Sequence, residues 1–377
     1  MRIALFSGNY NYLREGANQT LNRLVRFLEG RGDVVRVYSP VTDTPAFEPA
    51  GTLVPVPSVR LPVRGEFRLA LGLPAAIRRD VAAFAPDLVH LSTPDILNTR
   101  ALTFARARGI PVVASQHTLF ETYLEHYGLG WARPLAEAHL ARFYRRCSHV
   151  LVPMAALIPP MMAARGDASV SLFTRGIDRA RFDPAHRDMA WRGAHGIGED
   201  EVAVLFFGRL VLEKGIHTYI DTLRALLDRG LPVRPLVIGA GPAEAEFRRL
   251  PGAVLAGHLE GAALSAAVAS ADLMLHASTT EAFGNVLLEA AASGLPVVCT
   301  DCASARTILD PDRTGLIAPV GDIPAHAALV AALVEDPARR QAMGQAARAA
   351  SAAFDWDSAL QAVADTYARL VGDRMSG

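Results

Sequence analysis

Short apolar runs alternate with longer amphipathic stretches along the first half of the chain. The apolar runs predict strands close to residues 2, 33, 87, 111 and 149, because each is short and bounded by polar or turn-forming positions. The stretches between them carry apolar residues at helical spacing and predict helices over residues 19–30, 98–108 and 134–146. Alternation of this kind predicts a parallel β-sheet covered by helices on both faces.

A polar, turn-rich segment with the sequence RGIDRARFDP interrupts this alternation at residues 175–184. Strand-like runs then restart near residues 202, 234, 253, 272 and 295. We therefore predict an α/β protein with two Rossmann-like, doubly wound parallel-sheet domains, residues 1–177 and 178–355. Residues 356–377 are predicted to form a helix that crosses back onto the first domain. One face of that helix needs a groove to cover it and carries Ala359, Val363, Thr366, Tyr367 and Leu370.

The composition is that of a well-packed globular protein of more than one domain. Of the 377 residues, 51% are hydrophobic and 20% are charged. The 38 basic residues balance the 38 acidic ones, so no overall field attracts nucleic acid. The chain begins directly in an apolar strand and contains no run of about 20 apolar residues. We therefore expect a cytoplasmic protein that is neither exported nor membrane-spanning.

The chain has three cysteines, Cys147, Cys299 and Cys302. A sparse, odd set of this kind indicates a reducing compartment rather than a disulfide framework. Cys299 and Cys302 form a CxxC pattern, but no second pair supports a zinc site. We predict that the cysteines are small apolar core residues and that the protein binds no metal or other cofactor.

Two cations follow the strand-like run VAVLFF, in the segment GRLVLEKG. Arg209 lies at the strand end, and Lys214, which is the chain's one lysine, lies just before the next helix. A guanidinium fork and a compact ammonium beside a helix N-terminus form a site for a diphosphate. The alternative is ordinary surface charge, and the retention of a single lysine in an arginine-rich chain argues against it.

Glycines and turn residues mark further strand ends. Gly239 and Gly241, in the segment GAGP, predict either a loop that approaches a ligand closely or an ordinary tight turn. His258 and Leu259 end the run AVLAGHL and are counted with the same binding residues. In the first half, Gly16 precedes the first helix. It is a candidate for approach to phosphates or to an acceptor, or is only a turn glycine.

Two glutamates bracket a helix start in the segment STTEAFGNVLLEAAASGLPVV. If most of the interval between Glu281 and Glu289 is helical, the carboxylates lie about 10 Å apart along the axis, the length scale of a nucleotide sugar. Glu281 is then placed to hold sugar hydroxyls and Glu289 to bind ribose. The backbone amides predicted to face the diphosphate are those of Phe283, Gly284, Asn285 and Val286. The alternative is a favourable helix dipole and a solvated face.

A histidine ends the strand-like run PVVASQH in the first half. His117 lies at the carboxyl end of a strand, where ligands of parallel sheets bind. Either its side chain or its backbone carbonyl is a candidate to support a reacting sugar. The alternative is a buried histidine with a structural role.

These motifs together resemble family 4 retaining glycosyltransferases of the GT-B fold. The resemblance is carried by GRLVLEKG, GAGP, EAFGNVLLEAAASGLPVV and the linker RGIDRARFDP, which occur across the second half. The first-half segments SQHTLFETYLEHYGLG and FYRRCSHVLVP resemble the branch of bacterial α-mannosyltransferases and sulfoquinovosyl or diacylglycerol glycosyltransferases. The family implies two Rossmann-like domains that face each other across a cleft, with a nucleotide-sugar donor bound between them.

The resemblance also implies roles for individual residues. It assigns the donor diphosphate to Arg209 and Lys214, the transferred sugar to Glu281 and the ribose to Glu289, with His117 next to the sugar. It implies retention of anomeric configuration by attack on the same face, without a metal. Two segments depart from the family pattern: TDCASARTILD stands where a paired-glycine turn is usual, and REGAN has one glycine where relatives often have two.

The acceptor is indicated less directly. Residues 55–74 interleave arginines with apolar residues, as a loop resting on an anionic membrane would, although an ordinary loop fits as well. We expect transfer from a UDP- or GDP-sugar to a membrane lipid or cell-envelope glycan, at the inner face of the plasma membrane. A transferase that makes a small soluble glycoside and a catalytically silent nucleotide-sugar binder are the alternatives. The sequence leaves the base, the sugar, the acceptor and the oligomeric state open.

Overall fold

The computed structural model describes residues 1–13, 15–61, 67–117 and 130–376. The chain divides into two compact units. The first contains Met1–Arg175 together with Asp357–Gly377, and the second contains Gly176–Trp356. The domain ends predicted from the sequence, at residues 177 and 355, lie beside these boundaries.

The first unit is built on a parallel sheet with the strand order β3-β2-β1-β6-β7-β8-β9, and β4 pairs with β5 in a separate antiparallel hairpin. The strands are β1 Arg2–Phe6, β2 Val34–Ser39, β3 Thr52–Pro55, β4 Ser58–Arg60, β5 Arg68–Ala70, β6 Leu88–Leu91, β7 Val112–Ser115, β8 His149–Val152 and β9 Val170–Leu172. The helices that follow in chain order are α1 Gly16–Gly30, α2 Ala75–Phe84, α3 Ile96–Arg106, α4 Arg133–Arg145 and α5 Ile158–Arg165.

The second unit is built on a parallel sheet with the order β12-β11-β10-β13-β14-β15. Its strands are β10 Val202–Phe207, β11 Val233–Ile238, β12 Val254–Gly257, β13 Leu273–His276, β14 Val297–Thr300 and β15 Gly315–Ala318. Its helices are α6 Met189–Ala194, α7 Ile216–Asp228, α8 Glu244–Phe247, α9 Gly261–Ala269, α10 Asn285–Ala292, α11 Ala303–Ile308, α12 Ile323–Glu335 and α13 Pro337–Ser351. The last helix, α14 Trp356–Ser376, belongs to the first unit from Asp357 onward.

The two-domain, parallel-sheet α/β class predicted from the sequence is confirmed. Apolar runs such as VAVLFF in β10 are buried almost throughout, as expected for strands with both faces covered. Helix α7 buries a stripe at helical spacing, Ile216, Tyr219, Ile220 and Leu223, against its sheet. The C-terminal helix also follows the prediction, because Ala359, Val363, Thr366 and Tyr367 are buried.

Several boundaries differ from the predicted ones. Helix α3 begins before residue 98 because the Asp95 side chain accepts a hydrogen bond from the Asn98 amide and caps the helix. The segment 55–74 contains the strands β4 and β5 rather than a plain loop, and its residues 62–66 lie outside the described residues. The strands β3 and β9 were not predicted, since none of their residues is fully buried and each lacks a buried apolar run. The strand β15 was not predicted either.

The strand order reverses between β1 and β6 in the first sheet and between β10 and β13 in the second. In parallel α/β sheets, ligands bind outside the carboxyl ends of the strands at such a switch point. In the second unit, the loops after β10 and β13 therefore meet at the edge where a ligand site is expected.

Candidate functional site

The loops after β10 and β13 bring together Lys214 and Glu281. Lys214 Nζ donates a hydrogen bond to Glu281 Oε1 over 2.6 Å. The side chains are only 20% and 15% exposed, so the pair is largely shielded from solvent. The sequence analysis assigned these residues to different parts of a ligand, and the structure shows that they also bind each other.

Glycine and hydroxyl side chains hold the two loops in contact. Gly215 has a φ of +72°, and a Cβ at this position would lie 2.2 Å from the backbone oxygen of Ala277. Only glycine therefore allows the turn after Lys214 to pass so close to the end of β13. The hydroxyls of Ser278 and Thr280 donate to the backbone oxygen of Glu213 at 3.4 and 3.3 Å, which joins the same loops.

The Lys214 charge determines the ionisation of Glu281. Burial raises the pKa of this carboxyl, but the charge of Lys214 and the hydrogen bond that Lys214 donates bring it below its ordinary value. Glu281 is therefore an ionised carboxylate at neutral pH. An ionised, preoriented carboxylate is a strong acceptor for ligand hydroxyls.

The sequence analysis did not single out His276, the last residue of β13. Its Nε2 atom lies 3.7 Å from Glu281 Oε1 and is a buried polar atom without a hydrogen-bond partner among the described residues. Burial lowers the pKa of His276 to about 4, against the opposing effect of Glu281, so the ring is neutral at neutral pH. Its signal in the sequence is the one polar side chain at the end of the apolar run DLMLH.

Arg209 lies on the same β10 loop but does not join the carboxylate pair. Its side chain is 43% exposed, and its Nη2 lies 3.9 Å from Glu213 Oε1. The largely buried Lys214 and the more exposed Arg209 thus provide two cations of different character after one strand. Their binding of a diphosphate stays a prediction.

Gly239 and Gly241 are required by contacts within the unit. A Cβ on Gly239 would lie 1.8 Å from the oxygen of Gly208, and one on Gly241 would lie 2.4 Å from the oxygen of Leu210. The Leu210 amide donates to the oxygen of Ala240 at 3.0 Å, which holds the two loops together. Close backbone packing therefore accounts for both glycines, and their approach to a ligand stays a prediction.

His258 and Leu259 follow β12. His258 is exposed, and its Nε2 lies 3.0 Å from Glu260 Oε1, while Leu259 is half-buried. Nothing in their contacts links them to Lys214 and Glu281, and their role in donor binding stays a prediction.

The helix after Glu281 begins later than the sequence analysis assumed. Helix α10 starts at Asn285, behind Gly284 with a φ of +91°, so the first half of the interval from Glu281 to Glu289 is a loop. The separation of about 10 Å that was derived from a mostly helical interval therefore does not apply. The amides of Asn285 and Val286 precede the first intrahelical bonds, which run from Leu287 and Leu288 to the oxygen of Gly284.

Phe283 precedes helix α10, and Glu289 lies within it. The Phe283 side chain is buried, and its ring packs edge-to-face against Phe354. Glu289 is half-buried on α10. Burial raises its pKa to about 8, against the opposing charge of Arg181. The surroundings of Glu289 thus favour its protonated form, whereas those of Glu281 favour the ionised form.

The CxxC cysteines lie at the end of β14. Cys147 and Cys299 are buried as predicted, but Cys302 is only half-buried at the start of α11. A hydrogen bond from Cys299 is the main cause that lowers the pKa of Cys302 to about 6. Cys302 is therefore not the buried core residue that was predicted. Over the described residues, His, Cys, Asp and Glu side chains form no group of three suited to a metal.

His117 and Gly16 belong to the first unit. His117 is 9% exposed, with Nδ1 2.9 Å from Arg175 Nη2 and Nε2 2.7 Å from Ser115 Oγ. Both ring nitrogens are thus occupied by protein groups, which makes the side chain structural. Gly16 is the first residue of α1, and its oxygen accepts a hydrogen bond from the Thr20 hydroxyl at 2.8 Å. The ligand-binding role of Gly16 stays a prediction.

Two family models match the chain. The model described as Glycosyltransferase Family 4 matches residues 14–181, and the one described as Glycosyl transferases group 1 matches residues 188–350. The two matches follow one another along the chain and divide it close to the boundary between the compact units.

Known relatives extend over most or all of the chain. A GDP-mannose-dependent alpha-mannosyltransferase of Mycolicibacterium smegmatis is 31% identical over 99% of both chains. Sulfoquinovosyl transferase SQD2 of Arabidopsis thaliana is 30% identical over 95% of this chain and 71% of its own length. Alpha-monoglucosyldiacylglycerol synthase of Acholeplasma laidlawii is 25% identical over 79% of this chain and 80% of its own. Among solved structures, sucrose-phosphate synthase from Thermosynechococcus elongatus has the same fold, with a TM-score of 0.77 at 19% identity over 99% of both chains.

Proposed function

The chain belongs to the family 4 glycosyltransferases, and from this premise we propose that it is a retaining, metal-independent enzyme that uses a UDP- or GDP-sugar. The group transferred is a hexosyl or uronosyl residue. The observation that carries the proposal is the buried pair of Lys214 and Glu281 at the switch point of the second sheet, where parallel sheets bind ligands. The mannosyltransferase relative is named for a GDP-linked donor, which supports a nucleotide-sugar substrate here.

The proposed reaction exchanges one bond to the anomeric carbon for another. The acceptor hydroxyl attacks from the face that the diphosphate leaves, and its proton passes to the departing phosphate oxygen. Arg209 and Lys214 stabilise the negative charge that develops on the diphosphate. No protein nucleophile is needed, because the new glycosidic bond forms as the old bond to the phosphate oxygen breaks.

The carboxyl groups have separate roles in this proposal. Glu281, held ionised by Lys214, accepts hydrogen bonds from hydroxyls of the transferred sugar. Glu289, whose surroundings favour the protonated carboxyl, both donates to and accepts from the ribose hydroxyls. The other proposed binding residues are Gly16, His117, Gly239, Gly241, His258, Leu259, Phe283, Gly284, Asn285 and Val286.

The proposed acceptor is a membrane lipid or a cell-envelope glycan. One relative is named as a diacylglycerol glycoside synthase, which supports a lipid. The first unit also exposes Trp131 and Leu135 by 75% and 70%, and between them in sequence lies the exposed Arg133, which pairs with Glu137. Aromatic and apolar groups interleaved with arginine suit peripheral contact with an anionic bilayer.

We place that contact at the inner face of the plasma membrane. Within the described residues, no helix combines the length and the apolar character needed to cross a bilayer. The contact proposed is therefore by surface residues, with the active protein on the cytoplasmic side.

Product analysis tests the proposal. The purified protein is incubated in EDTA with UDP- and GDP-sugars and with anionic vesicles that contain diacylglycerol or glycolipid, or with soluble acceptors. We expect a lipid-linked product whose anomeric configuration, read by NMR, is that of the donor. An inverted product contradicts the retaining mechanism, transfer to soluble acceptors alone contradicts the lipid acceptor, and donor binding without any transfer supports a silent binder. Lys214→Ala assayed beside the wild type identifies background turnover.

A further inference from the structure

A continuous chain of hydrogen bonds runs through the interior of the first unit. The hydroxyl of Tyr367 contacts Nδ1 of His90, and Nε2 of His90 lies 2.6 Å from the hydroxyl of Ser115. That hydroxyl lies 2.7 Å from Nε2 of His117, and Nδ1 of His117 lies 2.9 Å from Nη2 of Arg175. All five residues are buried. Each ring nitrogen of the two histidines thus has a protein partner, as buried polar groups require.

The geometry determines the protonation state of His117. A guanidinium donates hydrogen bonds and cannot accept them. Nδ1 of His117 must therefore accept from Arg175 and carries no hydrogen. The ring hydrogen is on Nε2 and is donated to Ser115, so the imidazole is neutral and in a single tautomer.

The surroundings oppose protonation of both histidines. Burial, the charge of Arg175 and the neighbouring His90 hold the pKa of His117 well below its ordinary value. Burial alone lowers the pKa of His90 to about 3. His117 therefore does not act as a general acid or base at neutral pH. The polar group that it leaves for a ligand is its backbone carbonyl.

Packing restricts rotation of the rings as well. The ring of Tyr367 meets His90 edge-to-face at 5.8 Å, and Phe173 meets the ring of His117 in the same way at 5.8 Å. Tyr367 lies on α14, 277 positions along the chain from His90. The last helix thus reaches the strand end that carries His117 through two buried side chains, those of His90 and Ser115.

We propose that Tyr367, His90 and Ser115 are positioning residues, which hold His117 in one orientation and one tautomer at the end of β7. The proposal rests on the proposed function, because that function assigns His117 to the sugar. It makes a hydroxyl on the last helix necessary for the reaction, although this hydroxyl need not touch the substrate. The role of His117 is then to present a fixed backbone carbonyl, and no proton passes through its ring.

Single-group deletions with matched controls test this proposal. Tyr367→Phe and His90→Gln each interrupt the chain, and we expect kcat to fall about tenfold or more, because small displacements at a reacting centre are costly. Binding of UDP or GDP alone should be unchanged, since the residues proposed for the diphosphate and the ribose, Arg209, Lys214 and Glu289, belong to the second unit. Two controls remove comparable groups elsewhere in the same unit. Tyr38→Phe removes a hydroxyl that bonds to Asp80, and His149→Gln removes an imidazole that bonds to Ser171. These controls should retain kcat.

The coupling along the chain provides a second readout. If the hydrogen bonds from Tyr367 to Arg175 act as a unit, the double variant that carries Tyr367→Phe and His90→Gln should lose little more of kcat than either single variant does. Nitrogen-15 spectra of labelled histidine report the tautomer directly. In the wild type we expect His117 with its hydrogen on Nε2 and Nδ1 unprotonated across pH 6 to 8, and we expect Tyr367→Phe to shift both signals.

The contradicting results are equally specific. A kcat within about twofold of the wild type in both variants, or an equal loss in the matched controls, overturns the positioning role. A wild-type spectrum with the His117 hydrogen on Nδ1 also overturns the positioning role. This measurement needs no variant, so it tests the proposal even if Tyr367→Phe or His90→Gln fails to fold. A wild type that transfers no sugar refutes the proposed function instead, and the spectra still test the hydrogen-bond chain.

Discussion

Lys214 and Glu281 are 67 positions apart in the chain and form a hydrogen bond of 2.6 Å between Nζ and Oε1. The two loops that carry the pair are in close contact, because Gly215 fits the first loop against the end of β13. Lys214 favours the ionised form of Glu281 in a largely buried site. A carboxylate and an ammonium that are preoriented in this way lose little freedom when they bind a ligand.

Lys214→Ala should lower the rate of transfer by about 100-fold or more, because one cation that stabilises the leaving diphosphate is lost. Lys214→Arg should also lower the rate of transfer, because a planar guanidinium replaces the compact ammonium that fits the site. The measurement is kcat/KM for the donor. The control is Arg224→Ala, which removes an exposed cation of α7. A Lys214→Ala rate within about threefold of the wild type contradicts the site assignment.

Glu281→Gln should destabilise the protein at neutral pH by about 1–3 kcal/mol, because Lys214 loses its charged partner. The folded-state pKa of Glu281 is depressed. The ion pair therefore contributes fully above the unfolded value of 4.5, and this contribution is lost as the pH falls through the folded value.

Denaturant unfolding of the wild type and of Glu281→Gln at several pH values measures this difference. We expect a constant difference in the free energy of unfolding above about pH 5 and a decreasing one in more acid solution. Glu244→Gln is the control, since Glu244 pairs with the exposed Arg248 and such pairs contribute little. A difference that grows on acidification would be incompatible with this account.

Glu289→Gln should have the opposite pH dependence. The folded-state pKa of Glu289 is raised to about 8, so the stability that its protonated form provides is complete below the unfolded value of 4.5 and is lost as the pH rises towards 8. Gln mimics the protonated carboxyl. The melting temperature of the variant relative to the wild type should therefore increase between about pH 5 and 8 and then level off. A relative melting temperature that is flat over this range would refute the raised pKa of Glu289.

His276→Leu should leave the melting temperature unchanged or raise it, because it removes a buried nitrogen that has no hydrogen-bond partner in the described part of the chain. We expect it to lower kcat/KM for the donor by about tenfold, if this nitrogen serves the ligand beside Glu281. The matched variant is His326→Leu. His326 is also buried, but its Nε2 lies 2.9 Å from the Thr300 hydroxyl, so its loss should lower stability and spare activity. An unstable His276→Leu with normal kinetics would make His276 a structural residue.

The sequence singled out Lys214 and Glu281 as separate residues but did not predict that they form a pair. Lys214 stood out as the one lysine, and Glu281 stood out through its motif. Their pairing depends on the neighbouring positions of β10 and β13, while β11 and β12 lie on the other side of β10. Chain order does not reveal that arrangement, because both sides of β10 are open to the strands that follow.

The strand β9, the contact between Tyr367 and His90, and the position of His276 are marked only weakly in the sequence or not at all. β9 has three residues, none of them fully buried, so it lacks the apolar run on which strand prediction depends. Tyr367 was placed correctly on the covered face of the last helix, but no periodicity connects it to His90. His276 was overlooked because it ends a strand whose other residues are apolar.

The most direct test of the central claim is binding of the donor to the site of Lys214 and Glu281 without a metal. Thermal shifts of the wild type and of Lys214→Ala are measured against a panel of UDP- and GDP-sugars in EDTA, because a ligand that binds the native state stabilises it. We predict that donors with one of the two bases raise the melting temperature of the wild type and that the shift is lost in Lys214→Ala. The absence of a shift across the panel, or an equal shift in the variant, would contradict the account.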